Sequence, residues 1–305
     1  MIRWYFSSSE ETRLQVLNKK KKGSFLYVHQ PVAEDLVYVQ KTIGLDDGLI
    51  SDALDPEEVP RAEYLDGILY IFLRVPLQRD AVLETEPVLC AISQTQCCIL
   101  SQNKLPFLES ALAGARFDTT EPISCALQLM FLIAAEYDTT ITRLNKSLYR
   151  LRKSIEKITA KQILNFVTSE EEMNDVLNSL MRMLLALQSL FGSKKIKLTE
   201  EQTELFQDLV LELDQLVMSA KNNLRSIKNT HEAYTSIMTN NLNKVIKLFT
   251  SLTVILTIPT IISSFFGMNV RLPLQDHALG FAVVLGTTIA LVMCLVYLFN
   301  KNDWF

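Results

Sequence analysis

Stepping alternately by three and four residues from Asn243 gives Ile246, Thr250, Thr253, Thr257, Thr260 and Ser264. On a helix these positions share one side, and five consecutive members carry hydroxyls in a run whose other residues are apolar except Ser251 and Ser263. Neutral oxygens in a row suit a hard cation that keeps its water, and Mg²⁺ gives up water reluctantly. The series continues backwards through Thr239, Ser236 and Glu232 and ends forwards at Gly267-Met268-Asn269. There glycine permits a tight backbone, and Asn269 offers an uncharged amide oxygen to whatever passes. The competing reading is packing glue, because serine and threonine hide their hydroxyls on the preceding turn. A continuous stripe favours the lining of a path. One striped helix encloses nothing, so the pattern predicts several copies around an axis.

A second set of chemically active residues lies upstream. Glu200, Glu204, Asp208 and Glu212 stand four apart on one helix face, where like charges disfavour the helix by a few tenths of a kcal/mol each, about as much as opposite charges favour it. A bound cation would offset that repulsion, and so would lysines of a neighbouring helix. With Glu232 these acids form the candidate regulatory metal set.

Long helical sequence must position both groups. After Thr199 no glycine occurs until Gly267 and only one proline, Pro259, which predicts one helix of roughly 100 Å at 1.5 Å per residue. Thr199-Glu200-Glu201-Gln202 reads as its capping box, and Ser169-Glu170-Glu171-Glu172 reads as another helix start. Leu248 to Phe266 is 19 residues without a charge and Ala278 to Phe299 is 22, each adequate to span a bilayer. Lys244 and Lys247 precede the first span and Lys301 follows the second, whereas the loop between carries Arg271 offset by Asp276. That bias places both termini in the cytoplasm. The second span, with Gly280 and Gly286 and no hydroxyl stripe, reads as an outer, lipid-facing helix. Upstream of Glu121 the texture is different: "FLYVHQ", "YLDGILYIFLRVP" and "VLCAISQTQCCIL" are β-rich runs, with Asp66-Gly67 as a hairpin turn. The expected organisation is an α+β cytoplasmic domain over residues 1–118, a helical stalk over 119–247, and a two-span membrane domain over 248–305 with a short outer loop at 267–277.

Composition excludes other classes. Hydrophobic residues make up 49% of the 305, which is rich for a purely soluble protein. The 34 acids against 30 bases leave a net charge of −4, and no nucleic-acid partner is expected. Cys90, Cys97, Cys98, Cys125 and Cys294 form no CxxC pair, and His29, His231 and His277 are scattered, so unpaired thiols in a reducing compartment are expected and no tetrahedral metal site is spelled out. Phosphate-cradling glycine loops, nucleophile and base pairs and HExxH are missing, and no enzyme activity or cofactor is expected. The start "MIRWYFSSSEE" has no basic region followed by an apolar core, as a cleavable signal would.

"FFGMNV" after a Pro-containing span, with a second span following, resembles the CorA family of divalent cation transporters. "DALDPEEVPRAEYLDGILYIFLRVP" also looks like that family's cytoplasmic domain, so the resemblance covers essentially the whole chain. It implies a homopentameric funnel in the cytoplasmic membrane carrying Mg²⁺, often Co²⁺ and sometimes Ni²⁺. It further implies that Gly267, Met268 and Asn269 form the outer ion-selecting ring, that Asn243 and the hydroxyl stripe line the pore, and that cytoplasmic Mg²⁺ between subunits closes it. The sequence departs from the pattern at Phe266, where tyrosine is usual, in having one acid in the loop, and in the tail "NKNDWF", which lacks a lysine cluster. A zinc-transporting branch shares the motif and layout. A non-conducting oligomeric scaffold or sensor is the rival from another class, and an enzyme anchored by its C-terminus is more distant.

Overall fold

The computed structural model describes residues 1–8, 14–79, 82–114, 118–153, 160–192, 197–270, 272, 279–302 and 304. In chain order the elements are β1 (Ile2–Phe6), β2 (Gln15–Leu17), β3 (Phe25–His29), α1 (Ala33–Ile43), α2 (Asp47–Ala53), β4 (Arg61–Leu65), β5 (Ile68–Arg79), β6 (Val82–Ile92), β7 (Cys97–Ser101), α3 (Pro106–Gly114), α4 (Pro122–Lys153), α5 (Ala160–Gly192), α6 (Glu200–Phe266) and α7 (Gly280–Lys301). They fall into two compact units, Met1–Thr230 and His231–Phe305.

The first unit is built on a seven-stranded sheet of order β2-β1-β3-β7-β6-β5-β4, antiparallel throughout except where β3 runs parallel to β7. The expected hairpin joins β4 to β5. Leu65 pairs with Ile68, and Asp66 and Gly67 between them both take positive φ, 50° and 81°. That is the mirror-image turn whose twist matches paired strands, and asparagine, aspartate and glycine tolerate it best. Side chains alternate across the sheet. Ile68, Tyr70 and Phe72 share a core with Val39 of α1 and Leu49, Ile50 and Ala53 of α2. Leu69 and Ile71, on the opposite face, line a cavity of about 260 Å³ with Ala126 and Met130 of α4, Leu187 of α5 and Phe206 of α6. The unit therefore has three layers, with the sheet in the middle. Specific bonds tie the helical layer down: the Tyr137 hydroxyl donates to the Arg74 carbonyl at 3.0 Å, and Leu83 N–H donates to Glu172 Oε1 at 3.1 Å. All five cysteines are free, four of them buried.

Of the two capping boxes read from the sequence, one exists. Thr199 N–H donates to Gln202 Oε1 and Gln202 N–H donates to Thr199 Oγ1, both at 3.2 Å, and α6 starts there. Thr199→Ala should destabilise that first turn by about 1 kcal/mol. Hydrogen exchange checks this: the amides of Gln202 and Thr203 should exchange several-fold faster while those beyond Leu209 keep their rates. Ser169 is a correction, because α5 runs straight through it from Ala160. Phe166, Met173, Val176 and Leu180 are all buried, and Ser169 is itself buried on that side. Packing of a continuous apolar face carries the helix past a sequence that would otherwise start one.

Among the described residues, two helices are long and apolar enough to cross a membrane, α6 and α7. α6 continues from Glu200 to Phe266 with Pro259 inside it, close to the single-helix expectation. Proline removes one amide donor, a loss that membrane helices tolerate. Arg271, Asp276 and all of the outer loop beyond Val270 except Leu272 lie outside the described residues, so the charge comparison across the spans rests on the sequence.

Candidate functional site

Every member of the series Asn243, Ile246, Thr250, Thr253, Thr257, Thr260 and Ser264 is exposed on the single chain. The least exposed residues of the same stretch are Ser251, which is fully buried, and Ile255, Ile258, Pro259 and Ile262. At roughly 100° per residue, Ser251, Ile255, Ile258 and Ile262 point about 150° around the helix from the hydroxyl series. On α7 the matching half-buried positions are Val284, Thr288, Val292, Leu295 and Phe299. Each helix thus has one less exposed side, and on α6 the hydroxyl series lies on the side turned away from it. Ser251, which stood out in the sequence only as an exception, belongs to the shielded face. Its small side chain lets backbones approach closely.

The hydroxyl protons of Thr253, Thr257 and Thr260 are already engaged. Thr253 donates to the Phe249 carbonyl at 2.8 Å, Thr257 to that of Thr253 at 2.7 Å, and Thr260 to that of Leu256 at 2.9 Å. Thr239 repeats the arrangement on Thr235 at 2.9 Å. A hydroxyl has one proton and two lone pairs, so a threonine bonded in this way presents only acceptors to its surroundings. An acceptor surface matches the outward-pointing hydrogens of a hydrated cation and mismatches an anion.

At the end of α6, Gly267 N–H still donates to the Ser263 carbonyl at 2.9 Å, and Met268 N–H reaches the Phe265 carbonyl at 3.3 Å before the chain bends. Space is tight here, so that a side chain would require the preceding turn to give by a few tenths of an ångström. A Cβ on Gly267 would stand 3.2 Å from the Ser263 carbonyl oxygen, and its φ is not among the positive ones. Met268 and Asn269 follow, both exposed.

The acidic ridge lies on α6 in the first unit. Glu200, Glu204 and Asp208 are exposed and Glu212 is half-buried. Glu232 lies in the second unit. Among the described residues none of the four ridge acids forms an ion pair, and no group of three or more His, Cys, Asp or Glu side chains is placed to hold a metal. Burial pushes the Glu212 carboxyl up from its ordinary value, and the neighbouring charge of Asp138 on α4 adds to the shift. No rule of spacing pairs Asp138 with Glu212 in the sequence, since the approach depends on how α4 packs. A raised carboxyl favours the protonated folded state, so its contribution to stability is complete below about pH 4 and is lost as pH rises through the shifted value. Glu212→Gln should therefore raise the melting temperature at pH 7 in metal-free buffer, with the difference vanishing near pH 4. A variant equally or less stable at pH 7 would contradict this.

The arrangement can now be set beside known proteins. Residues 20–301 match the family described as CorA-like Mg²⁺ transporter protein. The chain is 22% identical over 288 residues to the cobalt/magnesium transport protein CorA of Methanocaldococcus jannaschii, covering 90% of this chain and 89% of that protein. Its fold is similar to the complete structure of the CorA magnesium transporter from the same organism, with a TM-score of 0.86 and 19% identity over 100% of this chain and 99% of that one. The ZntB cytoplasmic domain from Vibrio parahaemolyticus is similar at a TM-score of 0.64 and 9% identity, covering 78% of this chain and 98% of that domain. The structural likenesses show the fold, and the match over residues 20–301 takes in the strands from β3 to β7, the long helix and α7. The chain belongs to the CorA-like Mg²⁺ transporter family.

Proposed function

We propose that this protein conducts divalent cations, Mg²⁺ first with Co²⁺ and Ni²⁺ as alternatives, across the cytoplasmic membrane as a ring of five copies. The observation that carries the reading is the run of threonines on α6 whose protons are bonded to their own helix, on its exposed side opposite Ser251, Ile255, Ile258 and Ile262, ending at Gly267-Met268-Asn269. Around an axis, the Asn269 amide oxygens form the outer collar, and Ser264, Thr260, Thr257, Thr253 and Thr250 follow as a column of acceptors down to Ile246 and Asn243. No charge on this face offsets the loss of a tightly held inner water shell, so the ion passes with that shell largely retained. The lysines flanking the spans support a cytoplasmic position for the first unit and both termini. There the ridge of Glu200, Glu204, Asp208 and Glu212, with Glu232 further along α6, binds regulatory Mg²⁺ between copies.

Zinc transport is the weaker reading. Zn²⁺ favours nitrogen and sulfur ligands, and the series contains neither imidazole nor thiol. A non-conducting scaffold gains nothing from an acceptor stripe on the exposed face of the span. The test is uptake of Mg²⁺, Co²⁺, Ni²⁺ and Zn²⁺ by liposomes holding the purified protein. Cobalt hexaammine, an inert complex close to hydrated Mg²⁺ in size and donor arrangement, should compete with Mg²⁺ from outside. Active protein that ignores the complex would rule out passage of the hydrated ion, and liposomes that take up none of the four metals would favour the scaffold.

A further inference from the structure

The end of α7 is closed by the residues that follow it. Asn302 N–H donates to the carbonyls of Leu298 and Phe299 at 3.2 and 3.3 Å, and its Nδ2 donates to Leu298 at 2.9 Å. Trp304 N–H then reaches the Phe299 carbonyl at 3.0 Å. The last carbonyls of a helix otherwise need water, which the edge of a hydrocarbon layer does not supply freely. The same turn lays the Trp304 indole on the Phe299 ring, with centroids 5.1 Å apart and planes inclined by 23°. Tyr297, 65% exposed, and Lys301 occupy the same end of the helix.

We infer that the capped turn and the Trp304–Phe299 stack form an anchor seated in the headgroup layer of the bilayer, fixing the depth of α7. The inference rests on reading α7 as a membrane span, and it is independent of what the protein conducts. At 22 residues α7 is about 33 Å long, close to the hydrocarbon thickness, so its last turn lies at the boundary. An indole has an apolar body and a single N–H donor, the combination that collects at that level, and a lysine beside it reaches the phosphates. Stacking on Phe299 holds the ring against the helix, and the bonds of Asn302 and Trp304 bring it there.

The chain has two tryptophans, and Trp4 is buried in the first unit with its indole N–H 3.3 Å from the Tyr38 hydroxyl. Trp4→Phe leaves Trp304 as the only emitter of its kind, and far-UV circular dichroism checks that the first unit, whose core loses the indole, remains folded. The full chain carrying that change is reconstituted in phosphatidylcholine vesicles whose acyl chains bear bromine either near the headgroup or near the chain end. The expected result is emission to the blue of indole in water, quenched at least twofold more strongly by shallow bromine than by deep bromine. Phe299→Leu, which keeps the apolar bulk, should halve the shallow quenching. Blue emission that neither lipid quenches would mean that Trp304 is covered by protein, a second copy included, and overturns the inference. Emission as in water, stronger quenching by deep bromine, or quenching indifferent to Phe299→Leu also overturns it. Flotation of the same sample with its vesicles identifies the separate case in which the membrane reading itself fails, and the anchor falls with it.

Discussion

Asn269→Ala should abolish divalent cation flux while leaving the protein assembled. Asn269 is exposed beyond the last turn of α6 and contributes little packing to the single chain. What the change removes is an amide oxygen, which in the proposed path accepts from the outward hydrogens of a hydrated ion. A hydrogen bond to a charged group is worth about 1.5–3 kcal/mol, and each 1.4 kcal/mol of barrier is about tenfold in rate. Loss of one such bond predicts a fall of roughly tenfold to more than hundredfold, and loss from every copy in the ring predicts more. Flux into liposomes gives the rate, and cross-linking gives the assembly state. Near-normal Mg²⁺ flux in an assembled Asn269→Ala protein would remove this residue from the mechanism. The cobalt complex should also bind that variant more weakly, because it would meet the same collar.

The second large effect belongs to the middle of the stripe. Thr253 and Thr257 both donate to the preceding turn, so replacing each by valine keeps the shape and breaks no bond between helices. It deletes two acceptors per copy. At about 0.5–1.5 kcal/mol for each bond, the double variant should lose roughly tenfold in flux, and the corresponding double serine variant should retain most of it. The packing-glue reading predicts something different, a loosened assembly in the valine variant with flux falling only as assembly does. Measuring both quantities on both variants separates the two.

Local chemistry made several features legible in the sequence. Asp66-Gly67 specifies its own turn, Thr199 and Gln202 specify their own cap, and the run without glycine after Thr199 specifies an uninterrupted helix. Each involves residues at most a few positions apart, or a pattern that needs no partner. Ser169 shows where that reasoning stops, because a start signal is overridden when residues on both sides of it are buried on one face. Distant pairings were not legible at all. Nothing in β3 or β7 announces that they lie side by side and parallel, and nothing in α4 announces that Asp138 comes to Glu212. Within the α6 stripe the sequence showed which hydroxyls share a side. That Ser251 lies on the other side, against the shielded face, was implicit in its position and became visible only with burial.

The parallel pairing of β3 with β7 also sets an order of events during synthesis. β3 ends at His29 and its parallel neighbour begins at Cys97, so the middle of the sheet cannot close until the chain has been made through Ser101. Until then β3 presents an unpaired edge, Phe25-Leu26-Tyr27-Val28 with His29 at its end, and an open edge rich in apolar side chains is the kind that sticks to other chains. At about 5–20 residues per second that interval is several seconds. The first apolar span begins only at Leu248, beyond the last residue of the first unit. Every residue of the sheet, and of α3, α4 and α5 that cover it, is therefore made before the nascent chain offers the bilayer its first stretch long enough to enter.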